Sequence, residues 1–83
     1  MIYIDLPADL NMEDDLGRNV ARLADATTPD AVTQGAILVA GAPSAWSWGL
    51  VEAVEDNFVY FRQISARDAA RHSSLVAPLT KPA

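Results

Sequence analysis

Gly35-Ala36-Ile37-Leu38-Val39-Ala40-Gly41 is followed by Trp46-Ser47-Trp48-Gly49-Leu50-Val51-Glu52-Ala53-Val54, and then by Phe58-Val59-Tyr60-Phe61-Arg62-Gln63-Ile64. These three runs decide the fold. The first is uninterrupted, uncharged and bracketed by glycines, which predicts a strand covered on both faces. Ala42-Pro43-Ser44 supplies a turn, and the second and third runs read as a hairpin. A three-residue loop, Glu55-Asp56-Asn57, would use Asn57 at positive φ and pair Val54 with Phe58. Glu52 then faces Tyr60, Leu50 faces Arg62, and Trp48 faces Ile64. The other face pairs Ala53 with Val59, Val51 with Phe61, and Gly49 with Gln63. It is the drier of the two and is expected to point inward. A two-residue loop would set Val51 against Arg62 and Glu52 against Phe61, mixing polarity on both faces, so the longer loop is preferred.

Upstream, Ile2, Ile4 and Leu6 alternate with Tyr3 and Asp5, a short strand pattern stopped by Pro7. Asp14-Asp15-Leu16-Gly17 suits a turn. Residues 16–26 admit two readings. Leu16, Val20, Leu23 and Ala24 fit one helical stripe, with Asn11 as cap and an Asp14–Arg18 pair one turn apart. Gly17 and Asn19 weaken such a helix, and a strand over Arg18–Ala24 would put Val20 and Arg22 on one face and Ala21 and Leu23 on the other. The strand is preferred because β structure follows. Pro29 to Val32 suits one helical turn. Downstream, Ser65-Ala66-Arg67-Asp68 resembles a capping box and opens an alanine-rich helix. Ala66, Ala69, Ala70, Ser73, Val76 and Ala77 share one side of it, and Arg67, Arg71 and Ser74 another. Pro78 ends it, leaving one domain over residues 1–77 and a flexible tail over 78–83.

The chain has 83 residues, no cysteine and one histidine, His72. Disulfides, thiol nucleophiles and thiolate metal sites are therefore excluded. Fifteen of the hydrophobic residues are alanine, so the larger apolar side chains that can build a core are few. A chain this short with neither disulfide nor metal is a candidate for self-association. The net charge of −5 is a body of −8 over residues 1–61 joined to a +3 segment from Arg62 onward. A negative body repels phosphate backbones, so nucleic acid is an unfavoured partner. Attraction between the basic segment and the acidic body is the more natural use of the split. No run approaches the ~20 apolar residues that span a bilayer, and no basic residue precedes Asp5 as a secretory leader requires. A cytoplasmic protein without membrane contact is the expectation.

Candidate chemistry is sparse. Ser73 and Ser74 adjoin His72 but leave a helix in different directions, and no nucleophile elbow is present. His72 is more simply a surface partner for Asp68. Glu13-Asp14-Asp15 is a polar run without the spaced ligands of a calcium loop. The glycines lie too far apart for a phosphate cradle. No enzyme activity, cofactor or metal is expected.

The informative feature is aromatic. Trp46 and Trp48 lie two residues apart and share a strand face with Leu50 and Glu52, and across the hairpin with Tyr60 and Arg62. Two Trp, a Tyr and an Arg together match the composition of interaction hot spots. Either the pair is core beneath another element, or the face is an interface; Arg67 and Arg71 are secondary candidates.

The strand spacing and short loops predict a mainly β fold: a small, strongly bent antiparallel sheet of about five strands with a short C-terminal helix. The alternative is α+β with a helix at about 12–26. A glycine-bracketed strand before a twisted hairpin resembles SH3-like barrels, a likeness of fold that carries no function. The functional expectation is a small non-enzymatic interaction or assembly module, self-associating or holding a protein partner. The alternative is a barrel binding a small ligand or single-stranded nucleic acid through its aromatics.

Overall fold

The computed structural model describes residues 3–76, with side chains over residues 3–71. Five strands form one sheet: β1 (Leu6–Pro7), β2 (Asn19–Arg22), β3 (Ile37–Ala42), β4 (Ala45–Glu55) and β5 (Phe58–Ile64), followed by α1 (Ala66–Val76). The spatial order is β1-β3-β4-β5-β2. The sheet curls strongly into a half-barrel, consistent with a small β-barrel. The strand reading of residues 16–26 holds over Asn19–Arg22, and single 3-10 turns follow at Leu23–Asp25 and Pro29–Ala31. No α-helix occupies 12–26.

The sheet is mixed, not purely antiparallel. β1 runs parallel to β3, with Leu6 opposite Ala40, while the other pairs are antiparallel. Asp5 explains why the N-terminal ladder is so short. Its N–H donates to the Val39 carbonyl at 2.9 Å, and its own carboxylate accepts the Val39 N–H at 2.9 Å. A side chain thus takes the place of a backbone rung.

The hairpin loop differs from expectation, and the difference is instructive. Asp56 and Asn57 form a two-residue loop with φ of 52° and 69°, and Glu55 pairs with Phe58. Two consecutive positive φ values match the twist that a tight hairpin requires, and Asp and Asn tolerate them best after glycine. A bulge between Val51 and Ala53 then restores the register. Val51–Phe61, Leu50–Arg62, Gly49–Gln63 and Trp48–Ile64 pair as expected, whereas Ala53 faces Tyr60 and Val54 faces Val59. Val54 therefore packs against the core, and Ala53 moves to the outer side.

The core lies in the hollow of the half-barrel. Leu6, Ala21, Leu38, Ala40, Val51, Val59 and Phe61 fill it, with Ala26 and Val32 from the connecting segment. Gly49 permits this packing, since a Cβ there would sit 3.0 Å from the Phe61 ring. Asn19 is the buried polar residue and ties the 10–12 segment to the sheet. Its Nδ2 donates to the carbonyls of Leu10 (2.9 Å) and Met12 (3.0 Å), and its Oδ1 accepts from Gln63 (3.0 Å). Every buried side-chain polar atom among the described residues is paired in this way.

A smaller apolar layer forms on the opposite side. Val39 alternates away from Leu38 and Ala40, yet it is buried, as is Ala69 of α1. Neither joins the main core, and α1 contacts β3 and β4. The Ser65 hydroxyl accepts the Asp68 N–H at 3.1 Å, the capping bond expected at the start of α1. Ala66 and Ala70 remain exposed. Ile2, the His72 side chain, the far end of the small-residue face and the 78–83 tail lie outside what is described.

Candidate interaction face

β4 and β5 carry the aromatic face on the convex side of the sheet. Alternation sends Trp46, Trp48 and Leu50 outward because Gly49 and Val51 point into the hollow. Trp46 is 40% exposed, and Trp48 is half-buried. Their rings meet edge to face, 6.1 Å apart at 82°, an arrangement favoured by the ring quadrupoles. Half of the pair is thus anchored in the fold and half stands in water.

The bulge keeps Glu52 on this side. Its carboxylate meets the Arg62 guanidinium at 2.7 Å, with Arg62 largely exposed and Glu52 largely covered. At the surface such a pair contributes about 0–1 kcal/mol, so it orients Arg62 more than it stabilises the fold. Leu50 lies opposite Arg62. Tyr60 is half-buried beside Ala53 instead of Glu52, and its neighbour is Arg18, whose Cζ sits 4.6 Å above the ring. Arg67 and Arg71 lie exposed on α1.

Arg18 is the member that sequence reasoning passed over. The sequence predicts its pair with Asp14 only within a helix; in the structure the same contact closes a loop. The Arg18 guanidinium reaches the Asp14 carboxylate at 2.8 Å, and that carboxylate also accepts the N–H groups of Leu16 (2.9 Å) and Arg18 (2.8 Å). Partial loss of hydration opposes the charged form. The bonds from Arg18 and Leu16 and the Arg18 charge outweigh it, so Asp14 titrates below its ordinary value. A depressed folded-state pKa means the clamp is complete above the ordinary value of 3.8 and is lost as pH falls through the folded one. The amide shifts of Leu16 and Arg18 are expected to step in that acid window, and Asp14→Asn should abolish the step. Shifts that ignore pH in the native chain would contradict the clamp.

Among the described residues, two clefts lie beside the sheet. One of about 210 Å³ is lined by Asp5, Thr28, Val32 and Ile37, but the Asp5 carboxylate there is already engaged by Val39. The other, of about 260 Å³, lies along β2 beside Met12 and Phe58. Among the described residues no three or more His, Cys, Asp or Glu side chains come together as metal ligands, and no helix is long and apolar enough to cross a membrane. No family model, curated protein or solved structure matches this chain.

Proposed function

We propose that this chain is a small non-enzymatic interaction and assembly module that self-associates through its convex aromatic face, formed by Trp46, Trp48, Leu50, Glu52, Tyr60 and Arg62. The observation that carries the reading is Trp46, a large ring 40% exposed while in contact with the half-buried Trp48. A pre-ordered Trp on the same face as an Arg that is oriented by Glu52 has the makeup of a hot spot, since little conformational entropy is lost when it is covered. The split charge supports a second copy as occupant: the exposed Arg62 belongs to the +3 segment, and the rest of the chain carries −8.

Light scattering across a range of protein concentrations should show an assembly heavier than one chain. The double variant Trp46→Ala, Arg62→Ala should weaken it roughly thirty-fold, the equivalent of about 2 kcal/mol for a hot-spot pair. Its melting as a dilute monomer should be nearly unchanged. A strict monomer at every concentration would reject self-association. A second reading, stacking of a planar ligand or single-stranded nucleic acid, draws on the Arg18–Tyr60 stack. Trp fluorescence that responds to oligonucleotides or nucleotides, and not to protein concentration, would favour it.

A further inference from the structure

We propose that the seam between β1 and β2 binds a small amphiphilic cation, a primary amine carrying one aromatic or branched aliphatic group. The site uses no residue of the convex aromatic face, so it stands apart from the self-association proposed above.

The seam follows from the topology. β1 and β2 are the two end strands of the curled sheet, and each pairs only inward, β1 with β3 and β2 with β5. At one end the chain laces the gap between them itself. Glu13 forms an antiparallel bridge with Asn19, whose Nδ2 also holds the carbonyls of Leu10 and Met12. Beyond that lacing the walls enclose the cleft of about 260 Å³, with Pro7, Ala8 and Met12 on one side and Val20, Ala21 and Phe58 on the other. Ala8 and Ala21 both pack on the core, and their single methyl groups leave the space above them unfilled. Because Asn19 closes one end, the cleft suits a compact molecule and not a chain running through it.

Size and lining set the apolar part of the ligand. An apolar cavity of about 150 Å³ accepts one benzene ring, so this one takes a ring with a short chain, roughly ten to twelve non-hydrogen atoms. Met12 is 61% exposed and Phe58 42% exposed, and such a ligand covers both. A thioether and a ring adapt to an irregular apolar shape. Charge sets the polar end. Asp9 and Asp25 line the cleft against Arg22, and all three are exposed. The ion pairs among the described residues join Asp14 to Arg18 and Glu52 to Arg62, so neither cleft carboxylate is neutralised by one. The surrounding body, residues 1–61, carries −8. An anion entering the cleft is attracted by Arg22 and repelled by the rest, whereas an ammonium group meets net attraction.

The test titrates the isotope-labelled full chain with phenylbutylamine, phenylbutanol and phenylbutyrate, which share one skeleton and differ in charge. The amine should saturably shift the methyl signals of Ala8, Met12 and Ala21 and the ring signals of Phe58. It should bind about threefold or more tighter than the alcohol, the scale of exposed charge pairs, and the carboxylate should bind most weakly. The double variant Asp9→Asn, Asp25→Asn should bring the amine down to the alcohol and leave the alcohol unchanged. Its fold is kept, because an amide oxygen can still accept the Asn11 N–H that the Asp9 carboxylate accepts at 2.9 Å. Ala8→Leu should fill the cleft and abolish the shifts with amine and alcohol alike. If that variant fails to fold, the Asp9 and Asp25 pair decides, since only a ligand seated in this cleft loses its preference for the amine there. Cleft signals unmoved by millimolar amine would overturn the proposal. So would a carboxylate that binds as tightly as the amine, a folded Ala8→Leu chain that binds like the native one, or a response confined to Trp46 and Trp48.

Discussion

Phe61→Ala is expected to unfold this domain at or near physiological temperature. Phe61 is fully buried and is the largest of the fully buried side chains. It lies opposite Val51 on one side and Asn19 on the other, so it holds β4, β5 and β2 together. Truncating a buried Phe costs about 3–5 kcal/mol. A chain of this size has about 4–12 kcal/mol in total, and the larger apolar residues left to compensate are few. The expected fall in Tm is at least about 12 °C, at about 4 °C or more per kcal/mol for a domain of this length. Far-ultraviolet circular dichroism against temperature checks it, with Phe61→Leu as a control that keeps most of the volume and the fold. A fall of only a few degrees for the alanine variant would show that the hollow of the half-barrel is not the main source of stability.

Much of this architecture was readable from patterns of period two. The inward set Val51, Val59 and Phe61 and the outward set Trp48, Leu50 and Arg62 follow from alternation, because a strand has only two faces, while the Ile37–Ala40 run is legible as an unbroken apolar stretch between glycines. The loop at residues 55–57 departs from the expected register for a physical reason. A three-residue loop and a two-residue loop with one bulge consume the same number of residues, so both leave Val51 opposite Phe61. They differ only between the bulge and the turn, where Val54 and Ala53 exchange faces. Both side chains are apolar, so the pattern was silent there. The Asp56-Asn57 dipeptide, with two residues tolerant of positive φ, was the available signal.

The aromatic face was legible as a set, but not its extent. Nothing local to Tyr60 announces that Arg18 will lie on its ring. That contact depends on β2 pairing with β5 across a separation of some forty residues, as the partners Val20 and Tyr60 show. The cleft beside β2 was hidden for the same reason. Met12 and Phe58 lie far apart in sequence and line one cleft only in the folded chain.

Gly41→Ala is expected to damage the fold and the aromatic face together. Gly41 is buried in β3 at a φ of 120°, a conformation that L side chains rarely adopt. A Cβ there would collide with the Ala45 carbonyl and approach the Trp46 Cα to 2.9 Å and the Leu10 side chain to 3.2 Å. The first two are backbone atoms of the facing strand, so no rotamer change relieves them. Strain of about 1–3 kcal/mol from the backbone adds to about 1–3 kcal/mol of overpacking. Relief requires β4 to move at Trp46, and that would pull its ring from Trp48. Gly35→Ala separates the two costs. Its φ is 90°, but nothing lies within 4 Å of the added Cβ, so it carries the conformational penalty alone and should be the milder by roughly half or more. Thermal melts of both variants, read with near-ultraviolet dichroism of the Trp pair, check this. Equal destabilisation, with the Trp signal intact in Gly41→Ala, would mean that the β3–β4 turn yields without moving Trp46. The outward position of that ring would then be set by the Trp48 contact instead of by the close approach at Gly41.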